Sequence, residues 1–152
     1  MKRVQIVFLS TIILLFTQTG FGSSSTPENL QKNYSDSLKK AIDAYADLDY
    51  ERAYQLFKPL AQSGNIYAQF GLAQIYKQGL KGLANKSQAF YWYQKAANQE
   101  YGIAQNHLGL MYEQGITVSA DVSKALDLFT SSCGNGCAKG CKNLERIEKL
   151  SN

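Results

Sequence analysis

Apolar side chains at Ala68, Leu72, Ile75 and Tyr76 follow the i, i+4, i+7, i+8 spacing of an amphipathic helix. The pattern returns 36 residues later. Ala68, Gln69, Leu72, Tyr76, Gly79 and Ala89 then superpose on Ala104, Gln105, Leu108, Tyr112, Gly115 and Ala125. A second half-pattern occurs three times: Asp49, Asn85 and Asp121 align, then Ala53, Ala89 and Ala125, then Phe57, Tyr93 and Phe129, then Ala61, Ala97 and Cys133. No alternating pattern of strand type accompanies them. A period of this length is that of one helical hairpin per unit.

Each aligned class has a physical reason. The short oxygen-bearing side chains of Asp49, Asn85 and Asp121 stand where a helix start needs an acceptor for its unpaired N–H groups. The three alanines that follow let two helices approach closely. The aromatic residues one turn later fill the gap between hairpins. Gly79 and Gly115 end the first helix of a unit, where a left-handed residue closes the turn. The predicted layout is therefore 35–46 with 50–62, 66–78 with 86–98, and 102–114 with 122–133. A last helix over about 138–150 has Leu144 and Ile147 in register with Leu108 and Met111, and Lys142, Glu145, Arg146 and Lys149 on its other side. That suits a capping element on an all-α stack.

Residues 1–22 differ from the rest. Lys2 and Arg3 precede an apolar run from Val4 to Phe16, and small residues surround Gly22, the layout of a cleaved secretory signal peptide. The expected location is periplasmic or secreted, with membrane contact only through that segment. Residues 23–34 are polar, contain Pro27 and read as a flexible lead-in, leaving 35–150 as the folded domain. The chain has 152 residues, 45% of them apolar and 18% charged, enough for one real core. Its net charge is +4, half of it from Lys2 and Arg3, with no dense basic block; nucleic acid is not the expected partner.

The stretch AQNHLGLMYEQGITVSADVSKAL, residues 104–126, closely resembles the Sel-1-like repeat. Its A-x-x-x-L-G-x-x-Y-x-x-G, Val, Asp and K-A-L elements are Ala104, Leu108, Gly109, Tyr112, Gly115, Val118, Asp121, Lys124, Ala125 and Leu126. The unit at 68–97 matches more loosely, with Ala73 in place of the second glycine and Gly82 where Val is usual. The first hairpin has a tighter turn, similar to the tetratricopeptide repeat. The resemblance covers roughly residues 35–147 and implies a right-handed α-α superhelix of about three hairpins plus the capping helix. It also implies a protein or peptide partner, held in a concave groove lined by first helices. Taking Ala68, Leu72, Ile75 and Tyr76 as the buried face puts Phe70, Gln74 and Lys77 opposite. Asn106, Leu110 and Glu113 are their counterparts, with His107 on the flank.

The three cysteines all lie in CGNGCAKGC, residues 133–141, and in a secreted protein are disulfide candidates first. The C-x7-C spacing of Cys133 and Cys141 looks like the cysteine-rich branch of the same family, which implies a bridge between consecutive helices. Cys137 is then left over, and three fates stay open: a free thiol, a bridge to another chain, or replacement of one partner. The x3–x3 spacing departs from the C-x2-C pairs of zinc sites, so no metal is expected.

Catalytic constellations are sparse. His107 is the one histidine, in a first helix. Ser37-Leu38-Lys39-Lys40 satisfies S-x-x-K, but neither S-D-N nor K-T-G follows. No catalysis and no cofactor are expected. The alternative implied by the resemblance is a penicillin-binding protein or weak β-lactamase, as some cysteine-rich members are described.

Overall fold

In the computed structural model the described residues are 27–79 and 85–150. They form seven helices: α1 Pro27–Ala46, α2 Tyr50–Gln62, α3 Ile66–Gln78, α4 Lys86–Ala97, α5 Gly102–Glu113, α6 Val122–Gly134 and α7 Ala138–Leu150. Among the described residues there is no strand. The chain divides into Met1–Lys32 and Asn33–Asn152, and all packing below belongs to the second unit. Residues 1–22, read as a signal peptide, lie outside the described residues. α1 begins at Pro27, so 27–34 are helical where the sequence suggested an irregular lead-in. Proline at the first helical position has no N–H to leave unpaired and its φ is already helical.

The helix starts form as the aligned residues dictate. The side chains of Asp49, Asn85 and Asp121 accept from the backbone N–H of Arg52, Gln88 and Lys124 at 3.2, 2.9 and 2.8 Å. Asn65 does the same for α3 through Ala68 N–H at 2.8 Å. Gly79 and Gly115 carry φ of +69° and +66°, the left-handed region that a Cβ penalises.

Packing follows the repeat. Ala53, Ala89 and Ala125 are fully buried, and Phe57, Tyr93 and Phe129 are buried one turn further on. Three apolar clusters run along the unit. The first joins Ala41, Ala44, Phe57 and Leu72; the second Ala73, Tyr93, Leu108 and Met111; the third Ala125, Phe129 and Ile147. An amide ladder repeats with them. Buried Gln69 donates to Ala61 O at 3.2 Å and buried Gln105 to Ala97 O at 3.3 Å. Gln99 then donates to the Gln69 oxygen at 2.8 Å, and Asn135 to the Gln105 oxygen at 2.9 Å. These contacts satisfy polar atoms that burial would otherwise penalise, and they fix the rise from one hairpin to the next.

α7 packs on both α6 and α5, in the place a further first helix would take. Cys133 near the end of α6 and Cys141 in α7 are joined in the structure, with Cα atoms 4.5 Å apart, and Cys137 is a free, half-buried thiol. Gly140 lets α7 approach closely, because a Cβ there would run into the side chain of Ser132. Ser132 is itself fully buried and donates to Gly102 O at 2.7 Å.

Candidate functional site

The first helices α1, α3 and α5 present a groove whose chemistry comes from two departures from the repeat. Position 71 is glycine where the next unit has His107. A Cβ on Gly71 would stand 2.8 Å from the buried Phe57 ring, so position 71 adds no side chain over it, and Tyr45 packs on its edge with centroids 6.4 Å apart. In the next unit His107 does cover the equivalent aromatic, stacking on Tyr93 with centroids 5.0 Å apart. The second departure is Tyr101, which stands where α3 has its capping Asn65. Tyr101 makes no side-chain cap. Its ring instead packs on Phe70 and Tyr67, with centroids 5.4 and 5.8 Å away. A missing cap costs a helix about 1 kcal/mol, and here the position supplies aromatic surface.

The result is a concavity of about 250 Å³ lined by Ile42, Tyr45, Tyr67, Phe70, Gln74 and Tyr101, with Phe57 and Gly71 at its floor. Ile42 is 49% exposed and Tyr67 57% exposed, which is unusual for large apolar side chains lying this close together.

Of the residues expected to line a groove, Phe70 and Gln74 belong to this concavity. The Gln74 oxygen accepts from the Tyr93 hydroxyl at 2.8 Å. Lys77 and His107 lie beyond it, with Lys77 Nζ 3.4 Å from His107 Nδ1. Of the expected strip on the third hairpin, Asn106 and Glu113 are taken up by α7, while Leu110 also lines a second cavity. Asn106 is only 3% exposed and its oxygen accepts from Asn143 of α7 at 2.8 Å. Glu113 accepts both guanidinium N–H groups of Arg146 at 2.8 Å, and Leu110 packs on the third apolar cluster. The reason is α7, which covers this face of α5; Arg146, read as lying on the exposed side, turns back to it.

His107 packs on both Phe70 and Tyr93, and its pKa falls from 6.5 to about 4, first through burial and then through Lys77 and Lys139. At neutral pH the ring is uncharged, able to accept from the Lys77 ammonium. Lys77 is itself lowered, by burial and by Lys139. As pH falls the unfolded chain takes up the imidazole proton first. This contribution to stability is therefore complete above 6.5 and is lost progressively toward pH 4. Proton NMR titration of the single histidine is expected to give a midpoint near 4; a midpoint near 6.5 contradicts this packing.

Ser37 donates to Asn33 O one turn back at 2.8 Å, while Lys39 pairs with Asp43 at 3.0 Å. Among the described residues no group of His, Cys, Asp and Glu is arranged to hold a metal ion, and no helix is long and apolar enough to cross a membrane.

The stacked hairpins and their 36-residue register agree with known proteins. The family profile described as Sel1 repeat matches residues 43–65, 66–101 and 102–137. The chain belongs to the Sel1 repeat family. Solenoids of this repeat are commonly protein–protein interaction modules. The chain is 30% identical over 163 residues to chitin synthase regulatory factor 3 of Schizosaccharomyces pombe, covering 80% of this chain and 18% of that protein. It is 29% identical over 114 residues to human protein sel-1 homolog 2, covering 70% of this chain and 17% of that protein. The Sel1 chain here thus spans less than a fifth of either relative. Two solved structures share the fold at 30% identity. One is c5321, a protective antigen of uropathogenic Escherichia coli strains, with TM-score 0.71 over 78% of this chain and 27% of that one. The other is a Sel1 repeat protein from Oxalobacter formigenes, with TM-score 0.66 over 70% and 44%.

Proposed function

We propose that this Sel1-repeat chain is a non-catalytic adaptor that holds an extended segment of a partner protein in the groove between α1, α3 and α5. The observation that carries the reading is the half-exposed Ile42 and Tyr67 on the rim of a concavity floored by Gly71 and the buried Phe57. Burying those side chains under a partner's apolar residues removes them from water, and the surrounding aromatic rings lose little entropy on binding. Peptides selected from a random display library on the whole chain should carry apolar residues. Their affinity is expected to fall at least about tenfold, about 1.4 kcal/mol, for Ile42→Asp and for Tyr67→Asp. Unchanged affinity in both folded variants sinks the groove reading.

The same reading places the protein in the periplasm or outside the cell. It is supported by the basic start and apolar run of residues 1–22 and by the proximity of Cys133 to Cys141. Protein taken from its native cells should begin after Gly22 and yield a Cys133–Cys141 peptide without reductant. Recovery of two reduced cysteines at those positions contradicts that location.

A further inference from the structure

Beyond Phe70 and Gln74 the groove meets a second cavity, about 240 Å³, with an apolar wall of Tyr93, Leu110 and Met111 and with Lys77, Lys86 and His107 around it. Phe70 joins the two, touching Tyr101 on one side and His107 on the other. A third lysine approaches from α7. Asn143 is bonded to Asn106, the neighbour of His107, and Lys139 lies one helical turn earlier on the same face of α7. The charged groups acting on His107 are Lys77 and Lys139, and the one acting on Lys77 is Lys139. Among the described residues the ion pairs are Lys39–Asp43 and Glu113–Arg146, so neither neutralises these lysines. Arg146 occupies both oxygens of Glu113, the acid at the end of α5.

We infer that this end of the groove receives an acidic side chain, so that the partner segment carries Asp or Glu close to an apolar residue. The inference rests on the groove reading and adds its charge chemistry. Like charges crowded over a low-dielectric wall repel one another, and a carboxylate placed among them relieves that repulsion while accepting charge-assisted hydrogen bonds. His107 contributes by staying neutral: its Nδ1 accepts from Lys77 and holds the ammonium at the cavity mouth. The apolar groove alone accepts any hydrophobic segment. Adding the lysines selects among them.

The test uses a display library of random peptides panned on the whole chain and on a Lys77→Gln/Lys139→Gln variant. Peptides from the wild type should be enriched in Asp or Glu beside apolar residues. The best synthetic peptide should lose about tenfold in affinity on the lysine variant, and about as much when its acids become Asn or Gln. Adding salt should weaken it on the wild type more than on the variant. In NMR its addition should raise the midpoint of the single histidine. Apolar peptides without acidic enrichment, or binding indifferent to the lysine variant, overturn this inference and leave the groove standing. Loss of binding on amidating the peptide's C-terminus also overturns it, in favour of a terminal carboxylate. Failure to select any peptide sensitive to Tyr67→Asp removes the groove reading and this inference together.

Discussion

Phe129→Ala is expected to destabilise the fold by about 3–5 kcal/mol. Phe129 is fully buried, packed with Ala125 and Ile147 and bordered by Leu110, Leu126 and Leu144. Its ring also lies so close to α5 that a Cβ on Gly109 would stand 2.7 Å from it. The cavity left by alanine can collapse only in part, because the amide contact of Asn135 with Gln105 and the Ser132 bond to Gly102 O fix how α6 sits on α5. Urea unfolding measures the loss. Tyr91→Ala, at a side chain exposed on α4, should change stability by no more than about 0.5 kcal/mol. A Phe129→Ala cost below about 1 kcal/mol would place that ring outside the core.

The largest effect on binding is expected from Gly71→His, which copies the residue of the next unit into the groove. The new side chain must displace the far end of the Phe57 ring, which a Cβ would approach to 2.8 Å. The fold should survive with a loss of about 1–3 kcal/mol. The imidazole then covers the surface that Ile42 and Tyr67 border, as His107 covers Tyr93. Affinity for a peptide selected on the wild type should fall by at least about tenfold in fluorescence anisotropy. Full affinity in the folded variant would show that the peptide sits elsewhere.

The hairpins were legible because every unit repeats the same local solution, a capping Asp or Asn, a buried alanine and a buried aromatic, and the second and third add a left-handed glycine. Each depends on residues within a few turns of one another, so periodicity exposes it. The covering of Asn106 and Glu113 was not legible, since it depends on where α7 docks. Sequence placed Arg146 on the exposed side, whereas the guanidinium reaches back across 33 residues to Glu113. The start of α1 at Pro27 was not legible because residues 23–33 are polar and lack an apolar period, so nothing but the proline itself marks the first helical residue.

The groove itself was half legible. Phe70 and Gln74 follow from the face opposite Ala68 and Leu72, whereas Ile42, Tyr45, Tyr67 and Tyr101 lie outside that periodic face. Two signals pointed to them. Tyr101 breaks the capping rule that Asn65 obeys, and Gly71 replaces a side chain where the next unit has histidine. A repeat shows its shared framework through matches and its individual surface through mismatches.

Backbone amide NMR of the whole chain, with and without a selected peptide, tests the groove most directly. The largest shifts should cluster at Ile42, Tyr45, Tyr67, Phe70, Gly71 and Tyr101. The outward positions Arg52, Gln55, Gln88 and Lys95 on the second helices should stay still. Shifts concentrated on those second-helix positions, with Tyr67 and Gly71 unmoved, would contradict it.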